Sequence, residues 1–344
     1  MTASPPLRLR LDSAALVANW RWLAARSGAA ACGAAIKADG YGVGARPVLE
    51  RLAVAGCRDF FVTTWAEAEA LGSLPEAIGL SVLHGVRAED METALVSSAR
   101  PTLNTIEQVR RWRDAGGGVC DVMVDTGMNR LGLAAQDVVD GRLDGLNIDT
   151  LMSHLVSADE DAPRNERQRT AFAALAGKTS AKRMSLANSA GICLGSEYHF
   201  DLTRPGIGLF GGAPRSEAVG HIRQVAYPEA QIIQRRRIGA GESVGYNATF
   251  IADRPMELAI LNIGYADGYL RGFSNKGSAG GGRFPVVGRV SMDLLAICVD
   301  AEPDLGEGDW VTLDYALAEA SAQSGIAPYE LLTALGRRFE RVWA

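Results

Sequence analysis

A lysine placed directly after a short apolar run is the first feature of this chain that could carry chemistry. Lys37 follows the run Ala34–Ile36 and opens a segment that reads KADGYG. At the mouth of a buried strand a lysine loses hydration, which lowers its pKa and frees the neutral amine to act as a nucleophile or to form an imine. Its position fits a surface lysine with a partly buried stem equally well.

Two further polar residues stand at the ends of apolar runs. Arg130 closes the segment DTGMNR, which begins at Asp125, and a guanidinium can bind a carboxylate through two hydrogen bonds. A salt bridge from Arg130 to Asp125 is the alternative. His154 follows the run Thr150–Ser153, and taken alone it is more typical of a structural histidine than of a catalyst.

The residues near 189 and 204–208 could bind a phosphate. Ser189 follows an apolar run, and Gly206 and Ile207 come shortly after Arg204, where barrel loops commonly present free backbone N–H groups to phosphate. An imine-forming lysine, a phosphate site and a guanidinium for a carboxylate are what a pyridoxal phosphate enzyme acting on an amino acid needs. No metal site is expected, because the four histidines are far apart and no HExxH segment occurs.

These residues need a scaffold of alternating strands and helices. The pattern predicts an α/β protein with an N-terminal (β/α)8 barrel, whose strand C-terminal ends hold the active site; a doubly wound open sheet is the alternative. The first helix is predicted from a cap at Asp12 or Ser13 to a stop at Gly28. The predicted strands are Ala34–Ile36, Phe60–Val62, Ser81–Leu83, Thr102–Leu103, Val119–Val124, Thr150–Ser153, Met184–Ala187 and Leu202–Ile207. The further predicted helices are Pro47–Ala55, Trp65–Leu71, Glu89–Ser97, Ile106–Ala115 and Asn165–Leu175.

After about Arg223 the pattern changes to alternating apolar runs and glycine-rich turns, which predicts a second, mostly β domain. We expect a barrel domain at 1–222 and a β-rich domain at 223–344, with residues 1–10 as a candidate extra strand of the second domain. Its predicted elements are Gln231–Ile238, Ser243–Phe250, Leu258–Ile263, Pro285–Val290, Leu294–Val299, Trp310–Leu313, a helix at about Tyr329–Leu335 and a last run at Phe339–Trp343.

Composition limits the class of partner. The 344 residues include 35 Lys and Arg against 40 Asp and Glu, a net charge of −5, which gives no basic surface for nucleic acid or an anionic membrane. A small-molecule substrate is therefore expected. The five cysteines are far apart and never form a CxxC pair, and the N-terminus lacks the apolar run of a signal peptide, so we expect reduced thiols in the cytoplasm.

Several segments, in order along the chain, resemble one known family, the alanine racemases of the two-domain barrel type. The barrel segments are AIKADGYGVGA, DTGMNRLG, ANSAG and RPGIGLFG, and the resemblance runs from Leu9 to Trp343. It implies pyridoxal 5'-phosphate as the cofactor, Lys37 as its Schiff-base lysine and Arg130 as the residue that binds the substrate carboxylate. The other cofactor contacts that it implies are Arg204 at the pyridine nitrogen, Tyr41 at the phosphate, and Asn188, Ser189, Gly206 and Ile207 near the phosphate.

The second domain has matching segments of its own. GESVGYNATF resembles the family segment that holds the catalytic tyrosine, here Tyr246, and PYELL implies Tyr329 as a further phosphate contact. GYADGY and RVSMD resemble the segments that place Tyr265, Met292 and Asp293 near the substrate entrance. Members of the family are homodimers, so the resemblance implies shared active sites in which Tyr246 and Met292 reach the neighbouring subunit's barrel.

The resemblance also implies a reaction, the interconversion of L-alanine and D-alanine. Racemisation removes a proton from one face of the α-carbon and returns a proton to the other, so two acid–base groups must flank that carbon. Lys37 is implied for one face and Tyr246 for the other, with His154 and Arg204 supporting the tyrosine. The alternatives are a serine or broad-specificity racemase and, more distantly, a non-enzymatic pyridoxal phosphate-binding protein. Use of the D-alanine for peptidoglycan and use of the reverse direction for catabolism both stay open.

Five positions depart from the commonest pattern of the family. Met123 stands two residues before Asp125, where many members have a lysine that orients the carboxylate-binding arginine, so another group must orient Arg130. The other four are Val43 for a frequent histidine, Ser291 for a frequent cysteine, Phe210 for a frequent tyrosine and Leu294 for a frequent glutamine. None of the five removes a group that the reaction requires.

Overall fold

The computed structural model of the chain describes residues 5–344. Its first two thirds alternate strands with helices. These elements are β1 (Leu7–Leu11), α1 (Ser13–Arg26), β2 (Ala31–Cys32), β3 (Ala34–Ala35), α2 (Lys37–Tyr41), α3 (Ala45–Ala55), β4 (Asp59–Val62), α4 (Trp65–Ala70), β5 (Gly79–Val82), α5 (Met91–Val96), β6 (Arg100–Leu103), α6 (Ile106–Asp114), β7 (Cys120–Asp125), β8 (Leu133–Ala134), α7 (Ala135–Val139), β9 (Ile148–Met152), α8 (Pro163–Ala173), β10 (Arg183–Ser185), α9 (Gly191–Leu194) and β11 (Leu202–Thr203).

Helix α1 begins and ends close to where its sequence predicts. The Asp12 side chain caps the helix by accepting the amide of Ala15 at 2.8 Å, and Gly28 takes a left-handed backbone (φ +64°) just after the helix end. Leu16 and Leu23 on its inner face are fully buried. The helix therefore covers the barrel, as its apolar stripe predicts.

The strands of the first domain form a closed parallel ring. Seven of them pair in the order β10-β9-β7-β6-β5-β4-β3, and every pairing is parallel. β11 pairs with β2 on one side. On the other side, the amides of Asp201 and Arg204 donate to the carbonyls of Met184 and Ala187 at 3.0 and 2.9 Å. This closure confirms the predicted (β/α)8 barrel and makes the doubly wound open sheet wrong.

All eight predicted barrel strands are present, and the predicted helices correspond to α3, α4, α5, α6 and α8. The last strand is shorter than predicted, since it ends at Thr203 and residues 207–210 form a 3-10 turn. Pro205 contributes to this early end, because it has no N–H for the sheet. Arg204, Gly206 and Ile207 are thereby left outside the strand.

None of the helices among the described residues combines the length and the apolar character that a membrane crossing requires.

The second domain is built on one mixed sheet. Its strands run in the order β16-β17-β18-β15-β12-β1-β20, with β19 also paired to β12. β1 pairs antiparallel with β12 and parallel with β20, while residues 1–4 of the candidate strand at 1–10 lie outside the described residues. The division at 222/223 stays a prediction. The elements are β12 (Ala226–Ile238), β13 (Ser243–Val244), β14 (Phe250–Ile251), β15 (Met256–Leu261), β16 (Ser278–Ala279), β17 (Phe284–Val287), β18 (Leu295–Cys298), β19 (Trp310–Thr312), α10 (Leu317–Ser324), α11 (Pro328–Thr333) and β20 (Glu340–Trp343).

The predicted β run at Ser243–Phe250 is present as two short strands and not as one. The segment is a hairpin in which β13 pairs with β14 across a 3-10 turn at Tyr246–Ala248. Gly245 and Asn247 have φ values of +74° and +63°, which a glycine and an asparagine tolerate better than other residues. The hairpin places Tyr246 at its tip.

A cluster of charges closes the N-terminal end of the barrel. Arg183 lies 2.7 Å from a carboxylate oxygen of Asp59 and 2.6 Å from one of Asp149, and Arg100 lies 3.0 Å from Asp149. Asp121 is fully buried, and this burial raises its pKa to about 6 although the positive charge of Arg100 acts in the opposite direction. An apolar layer follows further along the strands, made of Ala35, Phe61, Met123, Met152 and Leu202.

Replacing Arg183 by alanine would remove one of the two arginines near Asp59 and Asp149 and leave Arg100 as their remaining cation. We expect Arg183→Ala to lower the free energy of unfolding by roughly 2 kcal/mol, less than for a fully buried pair, because Arg100 alone would then face Asp59, Asp121 and Asp149. Urea unfolding followed by circular dichroism measures this loss. The control is Arg142→Ala, which removes an exposed pair with Asp137 and should cost less than about 1 kcal/mol. Equal losses in the two variants would contradict the stabilising role of the cluster.

Candidate active site

A cavity of about 680 Å³ opens at the C-terminal ends of the barrel strands. Its walls come from residues that follow β3, β7, β9, β10 and β11, and from α11 of the second domain. The fold thus assembles most of the predicted site residues at one place, where a barrel of this type has its active site. Those that line the cavity are Lys37, Tyr41, Arg130, His154, Asn188, Ser189, Arg204, Gly206, Ile207 and Tyr329.

The segment after Lys37 is a left-handed turn. Ala38, Asp39 and Tyr41 have φ values of +53°, +53° and +56°, and Gly40 and Gly42 are also left-handed. This conformation costs about 1–2 kcal/mol for each residue that is not glycine, so neighbouring groups must hold it. Part of that support is local, since the Asp39 side chain accepts the amide of Ala45 at 2.8 Å.

Two side chains from outside hold the turn at its beginning and its end. Glu67 accepts the amide of Ala38 at 2.8 Å, and Arg341 of β20 donates two N–H groups to the carbonyl of Gly42 at 3.0 and 2.7 Å. A side-chain carbon on Gly42 would come within 2.6 Å of the Leu332 carbonyl oxygen, so α11 also packs directly against the turn. The position of Lys37 therefore depends on both domains.

Burial and nearby charge both act on the Lys37 amine. Burial lowers the pKa of Lys37, and the positive charge of Arg130 lowers it further, while the carboxylate of Glu67 opposes these effects. A lowered pKa increases the fraction of the neutral amine near neutral pH. That form is the one that can bond to a carbonyl carbon or accept a proton.

His154 and Arg204 form the deeper wall of the cavity. Burial, assisted by the charge of Arg204, lowers the pKa of His154 to about 3, so its imidazole is neutral near neutral pH. Arg204 is fully enclosed and donates to the Ser153 carbonyl at 2.6 Å and to the Ser185 hydroxyl. Burial lowers its pKa to about 10, against the opposing charge of Asp121, so Arg204 stays a cation at neutral pH.

A compact cradle lies between the ends of β10 and β11. The Ser189 hydroxyl accepts the amides of Gly206 and Gly208 at 2.8 and 3.2 Å, so its own hydrogen is left to donate elsewhere. A side-chain carbon on Gly206 would come within 2.1 Å of the Tyr41 hydroxyl, and only glycine leaves that space free. The Tyr41 ring is fixed by stacking on Phe210 with the ring centroids 4.8 Å apart.

Arg130 reaches the cavity from the loop after β7. One oxygen of Asp125 accepts the amides of Gly127 and Met128 at 2.7 and 2.8 Å, so this carboxylate shapes the loop. Met123 also faces the cavity, where its side chain belongs to the apolar layer of the barrel. The position before the loop therefore offers Arg130 no polar group.

Four predicted site residues lie in the second domain, outside the cavity of their own chain. Tyr246 and Met292 are 65% and 54% exposed. Tyr265 is close to Met292 in the fold, because the amides of residues 265 and 266 donate to the carbonyls of residues 291 and 292 at 3.0 Å each. Asp293 pairs with Arg338 at 2.7 Å. One chain alone thus does not bring these four to Lys37.

Sequence reasoning missed Glu67 and Arg341, the two residues that hold the Lys37 turn. Glu67 had a detectable signal, because Thr64 and Glu67 follow β4 with the spacing of a capping box. That pattern predicts a helix start, but it gives no indication of the bond to Ala38. Arg341 had no local signal, since its contact with Gly42 spans 299 residues.

Comparison with known proteins identifies the family. Residues 11–214 match the family model described as alanine racemase, N-terminal domain, and residues 225–343 match the model described as alanine racemase, C-terminal domain. A protein of Acidiphilium cryptum named alanine racemase is 41% identical over 97% of this chain and 98% of its own length. An Agrobacterium fabrum protein named alanine racemase, biosynthetic, is 38% identical over 98% of this chain and 93% of its own.

The solved structures agree with the sequences. The crystal structure of alanine racemase from Bartonella henselae with covalently bound pyridoxal phosphate has a TM-score of 0.91 to this chain at 35% identity. The match covers 99% of this chain and 100% of that one. Since both domain models match in order and the relatives are similar over nearly their full length, this chain belongs to the alanine racemase family.

Proposed function

We propose that this chain is an isomerase that interconverts L-alanine and D-alanine with pyridoxal 5'-phosphate as its cofactor. The observation that carries this proposal is one barrel-mouth cavity that holds a lysine with a lowered pKa, an arginine and a glycine-lined cradle. The full-length similarity to proteins named alanine racemase supports the same reaction.

The residues of the cavity fit the cofactor. A phosphate group needs several convergent donors, and the free hydrogen of Ser189 and the hydroxyls of Tyr41 and Tyr329 are donors on the cradle side. Arg204 is the buried cation that would face the pyridine nitrogen. When bound, pyridoxal phosphate supplies an aldehyde that condenses with amines and a ring that accepts electron density.

The side chains of this chain would position the substrate and move its proton. Arg130 would bind the substrate carboxylate, which fixes the direction of the α-hydrogen. Lys37 Nζ would accept or return that proton on one face of the α-carbon. Arg204 can only donate hydrogen bonds, so it would leave the pyridine nitrogen unprotonated. The ring would then withdraw electrons only moderately, which limits side reactions.

The second face requires another proton-transfer group, and we assign it to Tyr246 of a neighbouring subunit. Tyr246 lies at the exposed tip of the β13–β14 hairpin, and Ile251 of the same hairpin is also exposed. The hairpin packs against Gly288, which brings it near the segment with Met292. An exposed aromatic and aliphatic edge of this kind fits a homodimer with shared active sites, in which Tyr265 and Asp293 would lie near the substrate entrance.

We further propose that the protein works in the cytoplasm. Five buried, unpaired cysteines fit a reducing compartment. Two Agrobacterium fabrum relatives, one named biosynthetic and one named catabolic, are each 38% identical to this chain, so supply of D-alanine for peptidoglycan and its breakdown both stay open.

Deuterium exchange tests the reaction and the substrate together. We expect the protein, incubated in heavy water with single L-amino acids, to place deuterium at the α-carbon of alanine fastest and to form D-alanine, as chiral chromatography and mass spectrometry would show. Lys37→Ala should lower this rate by about 10³-fold or more, since it removes a positioned acid–base group, whereas Lys182→Ala on the surface should not. Faster exchange with serine would instead support a broader racemase, and no exchange with any amino acid would support a binding protein.

Gly206→Ala tests the cradle. The added carbon would stand 2.1 Å from the present position of the Tyr41 hydroxyl, so the tyrosine must move. We expect pyridoxal phosphate to bind at least about tenfold more weakly, the loss of roughly one good hydrogen bond, in a fluorescence titration of the cofactor-free chain. The control is Gly118→Ala, where nothing lies within 4 Å of the added carbon. Unchanged affinity in Gly206→Ala would place the phosphate elsewhere.

A further inference from the structure

The carboxylate of Glu67 joins the ends of two neighbouring barrel strands. One oxygen accepts the amide of Ala38 at 2.8 Å, in the segment after β3. The other accepts the amides of Thr63 and Thr64 at 2.6 and 3.3 Å, directly after β4. Glu67 is in the first turn of α4, and Thr64 caps that helix. A single side chain therefore fixes the relative positions of the two strand ends.

The position of the Ala38 bond matters because of the backbone that it holds. Ala38 is the first residue of the left-handed turn and directly follows Lys37. An alanine in this conformation is unfavourable unless its surroundings determine it. An accepted hydrogen bond from its amide fixes the peptide unit that connects Lys37 to the turn, and this peptide determines the direction in which the lysine side chain leaves the backbone.

We propose that Glu67 is a positioning residue for the racemase reaction, which holds the left-handed turn and thereby aims the amine of Lys37 into the cavity. This inference rests on the proposed function, in which Lys37 transfers the α-proton. Glu67 does not itself line the cavity, so it acts through Lys37.

The charge of Glu67 supports the same role. Its carboxylate raises the pKa of Lys37, while burial and the charge of Arg130 lower it. His154 also faces Lys37, but it is neutral near neutral pH because burial holds its pKa at about 3. Loss of the carboxylate should therefore lower the pKa of Lys37, since the charged form of the amine loses a favourable neighbour.

Glu67→Gln separates this role from helix capping. A glutamine at the third helix position can complete a capping box as glutamate does. It has only one acceptor oxygen, however, and that oxygen cannot serve Ala38 and the Thr63–Thr64 amides together. The variant thus breaks the link between the two strand ends whichever way the amide is turned. The matched control is Glu69→Gln, which removes the same charge from an exposed position on the same helix.

The first measurement is kinetic. We expect Glu67→Gln to lower kcat by about 10²-fold, the size expected when a reacting group is misplaced by about 1 Å, with a much smaller change in KM. Glu69→Gln should keep the kcat of the parent protein. A second substitution in the same chain, Ala38→Gly, should restore part of the loss, because glycine adopts the left-handed backbone without help. No recovery in that double variant would contradict the positioning role.

The second measurement does not depend on racemase activity. The chain has only four lysines, Lys37, Lys178, Lys182 and Lys276, so acetylation of each can be followed by peptide mass spectrometry. In the full chain freed of pyridoxal phosphate, the pH midpoint of Lys37 acetylation should be lower in Glu67→Gln than in Glu69→Gln. A common midpoint together with a common kcat would overturn the proposal, and so would a loss of thermal stability alone. If instead no variant or parent racemises any amino acid, the proposed function fails while the labelling result still reports on the turn.

Discussion

Racemisation at an amino acid α-carbon needs proton-transfer groups on both faces of that carbon, and in the proposed mechanism the cavity of one chain supplies one of them, Lys37. Lys37 lines the cavity, whereas Tyr246 lies exposed at the tip of the β13–β14 hairpin of the second domain and does not line the cavity of its own chain. The second domain therefore contributes to the proposed active site in two ways. Through α11 and Arg341 it supports the cavity of its own chain, and through its exposed edge it is available to a neighbour in the proposed dimer.

The support that the second domain gives to the barrel explains how a strained turn can carry the key lysine. Three residues that are not glycine share the left-handed conformation after Lys37, and a side chain from each domain bonds to the backbone of the turn. Enclosure of the cavity also sets its electrostatics. Burial lowers the pKa of Lys37 and of His154, while Arg204 stays charged. At neutral pH the cavity thus holds a neutral imidazole and a charged guanidinium beside a lysine whose pKa is lowered.

The sequence predicted the barrel well because short apolar runs and the polar residues behind them have a regular order in a (β/α)8 fold. Ten of the fourteen predicted site residues line the cavity, and Lys37, His154 and Arg204 among them come within two residues of a strand end. The hairpin at Ser243–Phe250 reads as one alternating run in the sequence because its turn is short and its flanks are apolar, whereas the structure reverses the chain at Gly245 and Asn247 and pairs β13 with β14. The contact from Arg341 to Gly42 could not be predicted, because nothing local in either segment refers to the other.

The most direct test of this account is activity in mixed dimers. Lys37→Ala and Tyr246→Phe chains should each be inactive alone, since each lacks one proton-transfer group at every site. When the two variants are unfolded together in equal amounts and refolded, random pairing of a symmetric dimer makes half of the dimers mixed, and each mixed dimer has one intact site. We expect recovery of about a quarter of the parent activity. Mixtures that stay inactive, although mass spectrometry shows mixed dimers, would contradict a site shared between Lys37 of one subunit and Tyr246 of the other.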